Sequence, residues 1–171
     1  MKKIITTFLL LVVCVMTMSA KSLEVKEGST AVLKENATAE FVLDLDHCTF
    51  ERKQDFKAWC GKDYDVRVSL MKDFFPEYFN EYSKGLKIVT DNTPAKYKMV
   101  LHVDEFERKT QSIGALTACM KIHGELSVIE KETGKTVLKI EVHLKGSYDY
   151  VETDRFTKAM KALAKQLPKM K

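Results

Sequence analysis

The sequence predicts an α+β fold, a two-layer sandwich in which two amphipathic helices pack on one face of a mostly antiparallel sheet. Three observations predict it. From Ala118 to Tyr150, two stretches of alternating apolar and polar residues flank Lys131-Glu132-Thr133-Gly134-Lys135, as in a hairpin. The same period of two runs through Phe41, Leu43 and Leu45 and through Tyr97, Met99, Leu101 and Val103. Two further segments place apolar residues at spacings of three and four: Val68, Met71, Phe75, Phe79, Tyr82 and Leu86, then Phe156, Met160, Leu163 and Leu167. Each layer has one apolar side, and each buries the other's.

The hairpin sets its own register. In its second strand Leu138, Ile140, Val142 and Leu144 alternate with Lys139, Glu141, His143 and Lys145; in the first, Met120, Ile122, Leu126 and Val128 answer. Gly134 suits the positive φ of a type I turn closed by a glycine bulge. That turn sets Lys131 opposite Lys135, so Val128 faces Leu138, Leu126 faces Ile140 and Ile122 faces Leu144. Turn chemistry and apolar pattern select the same register independently.

The other elements follow in chain order. Residues 1–20 read as a signal peptide, with Lys2 and Lys3 before an apolar run from Ile4 to about Met16 and Ser19-Ala20 ahead of the cleavage point. The run is too short for a permanent span. A lipid anchor on Cys14 is disfavoured, because Val13 precedes it where a small residue belongs and Val15-Met16 replace a polar tether. The expectation is an exported protein, periplasmic or extracellular, with residues 21–171 as one domain lacking a transmembrane segment. Residues 21–38 are either an edge strand or an arm covering the sheet. Glu40–Asp46 is a strand, and His47–Tyr64 is irregular. A helix runs from an Asp65 N-cap to a Gly85 stop, kinked at Pro76. Leu86–Thr90 is a short strand, Asp91-Asn92-Thr93-Pro94 a turn, and Tyr97–Glu107 a long strand with Lys98, Val100, His102 and Asp104 outward. Arg108–Thr117, containing Gly114, is a loop or wide connection, and the last helix spans about Asp154 to Leu167. The long connection between the strands near residues 40 and 87 allows a right-handed parallel crossover.

Composition narrows the function. Of 28 basic and 24 acidic residues, two basic ones leave with the leader, so the mature chain is close to neutral, and nucleic acid is not the expected partner. In an oxidising compartment a Cys48–Cys60 bridge would close a short loop and contribute about 3 kcal/mol, leaving Cys119 as a buried thiol. No metal-knuckle spacing, phosphate loop, zinc-protease helix or nucleophile beside a base is present, although Asp44 and Asp46 share a strand face.

The aromatic helix ending in Gly85-Leu86-Lys87-Ile88, the Tyr97–Val103 strand, the Glu132-Thr133-Gly134-Lys135 turn and the closing helix together resemble small exported proteins of Gram-negative envelopes. In layout, residues 38–167 are similar to the amino-terminal domains of TolB and of the curli secretion protein CsgG. That resemblance implies an envelope protein that binds other macromolecules, and it carries no catalytic residue onto this chain.

Two candidate sites lie on the outward sheet face. In the predicted register His123 lies opposite His143 and Glu125 opposite Glu141, with opposed Cβ atoms about 5 Å apart. Two imidazoles with one or two carboxylates suit a divalent metal such as zinc, nickel or iron, and His102 on a nearby strand is an additional ligand candidate. Val42, Val100, Phe106, Ile129 and Val137 make that face more apolar than a wet sheet requires, so either the 22–33 arm covers them or they form a patch for a partner. Lys158, Lys161 and Lys165 read as the solvated side of the last helix. The leading expectation is a non-enzymatic exported envelope protein that binds a partner without a cofactor; a metal-binding module is the alternative, with an enzyme whose site assembles only in space as a third.

Overall fold

The computed structural model of the chain describes residues 22–90, 93–110 and 117–171. The expected signal peptide and Cys14, the turn residues Asp91 and Asn92, and the segment around Gly114 lie outside the described residues. No helix among the described residues is long and apolar enough to cross a membrane.

Among the described residues eight strands form an open mixed sheet: β1 (Leu23–Gly28), β2 (Thr38–Asp44), β3 (Thr49–Phe50), β4 (Gln54–Asp55), β5 (Lys87–Val89), β6 (Tyr97–Thr110), β7 (Ala118–Glu130) and β8 (Thr136–Lys145). The order is β1-β8-β7-β6-β2-β5, and β3 pairs with β4 and β6. Pairing is antiparallel from β1 to β6 and parallel at β6–β2 and β2–β5, so the expected crossover between strands near 40 and 87 is present. The α-helices among the described residues are α1 (Phe56–Cys60), α2 (Tyr64–Tyr82) and α3 (Glu152–Gln166). The two long ones pack on each other, and α3 lies on β7 and β8. Between the layers the predicted stripes are buried: Met71, Phe75 and Phe79 of α2, Phe156, Met160 and Leu163 of α3, with Leu167 just beyond it, against Met99, Leu101, Leu126, Ile140 and their neighbours.

The residue pairs Val128–Leu138, Leu126–Ile140 and Ile122–Leu144 are as predicted, but the turn reaches them differently. Glu130, not Lys131, meets Lys135, through a Glu130 N–H bond of 2.9 Å to the Lys135 carbonyl. Ile129 then pairs with Thr136, and a bulge restores the expected register at Val128–Leu138, with Val137 as the extra residue. Gly134 has φ +69°, as the turn requires.

Other expectations change where packing overrides local signals. Residues 23–28 are the edge strand β1 and not a cover, and a 3₁₀ turn at Thr30–Lys34 inserts Val32 and Leu33 into the core. α2 is a single helix running through Pro76; it begins after Asp63, with Asp65 in its first turn, and ends before Ser83. Gly85 is therefore not its cap. A Cβ there would sit 2.4 Å from the Lys34 backbone, so the residue is needed for close approach. The stretch 47–64 is more ordered than expected, because the two-residue strands β3 and β4 and the single-turn α1 fall below any periodic signal. Arg67 is buried on α2, its guanidinium 4.9 Å from the Trp59 ring and 5.5 Å from that of Phe156, an aromatic cage that α1 and α3 build around it.

Gly124 shows how tightly the central strands are set, since a Cβ there would lie 2.1 Å from the His102 carbonyl oxygen. Gly124→Ala is expected to cost about 2 kcal/mol by forcing β6 and β7 apart, whereas Gly134→Asn, at an open left-handed position, should cost about 1 kcal/mol or less. Urea denaturation midpoints of the two variants measure the difference.

Candidate functional site

The outward face of β6, β7 and β8 is shaped by one extra residue. From Tyr97 to Val103 the odd-numbered side chains of β6 point inward, and a bulge at Asp104 then reverses the phase. Phe106 consequently turns into the core, fully buried with its ring 4.7 Å from Phe56 and 5.0 Å from Phe156. It is no part of the outer patch that simple alternation assigned it to. Glu105 and Glu107 take the outer face instead, opposite His123 and Lys121, with Glu105 buried there under Arg52 at 3.1 Å. The bulge had a signal in the sequence: unbroken alternation would have turned Glu105 toward the helices and Phe106 away from them.

His123 and His143 do meet across β7 and β8. Their Nδ1 atoms are 2.9 Å apart, and the ring centroids 5.2 Å. Each ring has a carboxylate at its other nitrogen, Glu107 at 3.3 Å from His123 Nε2 and Glu141 at 2.9 Å from His143 Nε2. Burial opposes ionisation of Glu107, yet hydrogen bonds from Lys109, Lys121 and His123 hold its carboxyl down at about 2. Glu141 is likewise lowered, first by the hydrogen bond from Lys26 of β1 and then by that from His143. Glu125, predicted beside the histidines, is drawn away by Lys139 at 3.1 Å and Ser127 at 3.2 Å. Glu107, which the sequence reading missed, takes its place because of the β6 bulge. Among the described residues no three His, Cys, Asp or Glu side chains converge closely enough to hold a metal by themselves.

His102 stands apart from this pair. Its Nδ1 is 2.9 Å from Asp44 on β2, and its Nε2 is 3.2 Å from Asp104. Asp44 also accepts the Asp46 backbone N–H at 3.0 Å, so of the two carboxylates that shared a strand face in the sequence it is that of Asp44 that is engaged. Cys48 and Cys60 are free thiols rather than a bridge, both buried, as is Cys119. The loop is instead closed by the Phe56 N–H on the Cys48 carbonyl at 2.9 Å and by stacking of Phe50 on Trp59 at 3.7 Å. Burial pushes the Cys48 thiol up to about 12 and that of Cys60 to about 11, so both stay protonated at neutral pH.

Of the expected apolar patch, Val42, Val100, Ile129 and Val137 are half-buried, and Val137 packs against the core. Val42 and Val100 are direct neighbours across β2 and β6, while Ile129 and Val137 belong to the far hairpin end. The edge strand β1 does not cover the valine pair, since it lies at the opposite side of the sheet. Beside the pair is a groove of about 340 Å³ lined by residues of β2 and its continuation (Leu43, Leu45, Asp46), of α2 (Tyr64, Val68, Lys72) and of the outer face (Val42, Val100).

The class this geometry defines is an open, two-layer α+β domain with a polar outer sheet face. A comparison with protein-family models finds no match, and neither does one with curated proteins. Among solved structures, the chain is similar to the PelC dodecamer subunit from Paraburkholderia phytofirmans, at 12% identity over 85% of this chain and 96% of that one, with a TM-score of 0.49. A DUF330 protein from Xanthomonas campestris gives 11% identity, 79% and 84% coverage and a TM-score of 0.44. A lipoprotein from Neisseria meningitidis gives 9%, 78%, 99% and 0.35. One of these three carries the description of a lipoprotein, and a likeness to TolB or CsgG is not shown.

The His102 ring carries a pH dependence with a definite sign. Burial works against its charged form, but Asp44 and Asp104 outweigh burial and raise it above the ordinary 6.5. A folded-state value raised in this way adds stability that is fully present below about pH 6.5 and lost as pH climbs through the folded value. Urea midpoints of wild type and His102→Asn should therefore differ most on the acid side and converge as pH rises past 6.5.

Proposed function

We propose that the domain is a non-enzymatic binding module of the cell envelope, which takes an extended segment of a partner protein as an added strand along the open edge of β2. The observation that carries this reading is that the edge is unfilled where it borders the groove. β5 pairs only with Thr38–Glu40, and no strand among the described residues continues along that side. The Lys87 N–H binds the Ala37 carbonyl, which fixes the direction of the odd-numbered backbone groups of β2. By the alternation of a strand, the N–H and C=O of Leu43 point to the unfilled side. The groove collects residues from both sheet faces, a reach that depends on nothing closing the edge between them.

The free edge of β1 suits such pairing less. β1 is bulged after Val25 and carries Glu24, Lys26 and Glu27, the charges and irregularity that deter an added strand. At β2, backbone groups would supply affinity and Val42, Val100 and Val68 would select an apolar side chain at alternate positions of the guest. Export to the periplasm or beyond the cell rests on the leader-like first twenty residues.

Peptides selected from a random extended library on immobilised domain test this. Bound peptide should slow amide exchange at Leu43 and shift the resonances of Phe41–Asp46, and Val42→Asp with Val100→Asp should weaken binding about tenfold or more, some 1.4 kcal/mol. Binders that instead protect β1, or that ignore the valine substitutions, would rule the groove out.

A further inference from the structure

The histidine pair supports a second site, independent of the β2 groove. We propose that His123 and His143 bind a first-row divalent cation that prefers imidazole nitrogen, copper(II) foremost, between their Nδ1 atoms.

The argument begins with the carboxylates. Glu107 lies 3.3 Å from one ring and Glu141 2.9 Å from the other, and a carboxylate at neutral pH can only accept hydrogen bonds, so the ring nitrogen facing each of them carries the hydrogen. That nitrogen is Nε2 in both rings. A neutral imidazole protonated at Nε2 keeps its lone pair on Nδ1. The two Nδ1 lone pairs therefore face one another across 2.9 Å, an arrangement that requires a positive charge between or beside them. A proton satisfies it by turning one ring into an imidazolium; a metal ion satisfies it with both rings neutral.

The surroundings are those of a ligand pair held ready. A histidine that binds a metal through one nitrogen characteristically donates the other N–H to a carboxylate, which fixes the tautomer and raises basicity. Here both rings have that partner, supplied by different strands, and both carboxylates are anchored in turn by Lys109 and Lys121 or by Lys26. The opposed pair Lys121–Lys145 borders the site on one side, and Glu125–Glu141 lies two residues away on the other. The His143 side chain is 41% exposed, so the approach is open, and water would complete the coordination.

Affinity for nitrogen ligands separates the metals. With metal–nitrogen bonds of about 2.0 Å, two nitrogens at a tetrahedral angle stand roughly 3.3 Å apart, whereas neighbouring positions of a square-planar ion are about 2.8 Å apart. The 2.9 Å of the pair is a hydrogen-bond distance that a small side-chain shift takes to either value, so the preference for copper(II) rests on its place at the head of the affinity order for nitrogen ligands. Glu107 and Glu141 are positioning residues in this scheme, in contrast to the Glu125 and Glu141 ligands expected from register alone.

The test is equilibrium dialysis of untagged protein against copper(II) sulfate and, separately, zinc chloride at pH 7.5, with electron paramagnetic resonance of the copper form. The expected result is one copper per chain at micromolar concentration, nitrogen hyperfine structure from two imidazoles, weaker zinc binding, and loss of the two-nitrogen signal in His143→Ala. Glu107→Gln, which keeps both ligands, should weaken copper about tenfold or more while the two-nitrogen spectrum persists. Circular dichroism confirms that each variant is folded. Copper binding only above about millimolar, binding unchanged in His143→Ala, a spectrum of fewer than two imidazoles, or zinc held as tightly as copper would each overturn the proposal.

Discussion

The phase of side chains across β6, β7 and β8 is the constraint from which the rest of the molecule follows. In a strand each residue commits its neighbour to the opposite face, so one inserted residue exchanges the faces of everything beyond it. The insertion at Asp104 does this in β6: it delivers Phe106 to the aromatic cluster of Phe56, Trp59 and Phe156 and brings Glu107 out beside His123. The core at this end of the sandwich and the charge pattern on its outer surface are thus two results of the same local event. Without the bulge the helices would meet Glu105, and the histidine pair would lack one of its carboxylates.

The second bulge, at Val137, works in the opposite sense. A turn that pairs Glu130 with Lys135 would by itself shift β8 by one position and reverse its faces. Leaving Val137 unmatched returns Leu138, Ile140, Val142 and Leu144 to the buried side. It also lets β1 approach, since the Val137 carbonyl accepts the Ser29 N–H at 3.2 Å and leaves no room for a Cβ on Gly28. Edge strand, turn and core are therefore interlocked at this corner.

How much could be read in advance follows from these two corrections. Long alternating and helical stretches were legible, including the pairs from Ile122–Leu144 to Val128–Leu138 and the meeting of His123 with His143, because apolar burial specifies register wherever one face is covered. What local pattern could not convey was anything decided by a partner distant in the chain. The role of Gly85 depends on Lys34, the burial of Arg67 depends on Trp59 and Phe156, and the withdrawal of Glu125 depends on Lys139. The bulge at Asp104 lay between these cases, since a glutamate in an inward position beside a phenylalanine was visible in the sequence and contradicted the simple alternation.

The position of β2 has one more consequence. For its first residues it is an interior strand, gripped by β5 on one side and β6 on the other, and only beyond Glu40 does one flank open. Phe41 is further clamped by stacking on Phe75 of α2 at 4.4 Å. A guest laid along the open flank would meet a template already rigid on arrival, so little ordering entropy on the host side would be subtracted from the free energy of association.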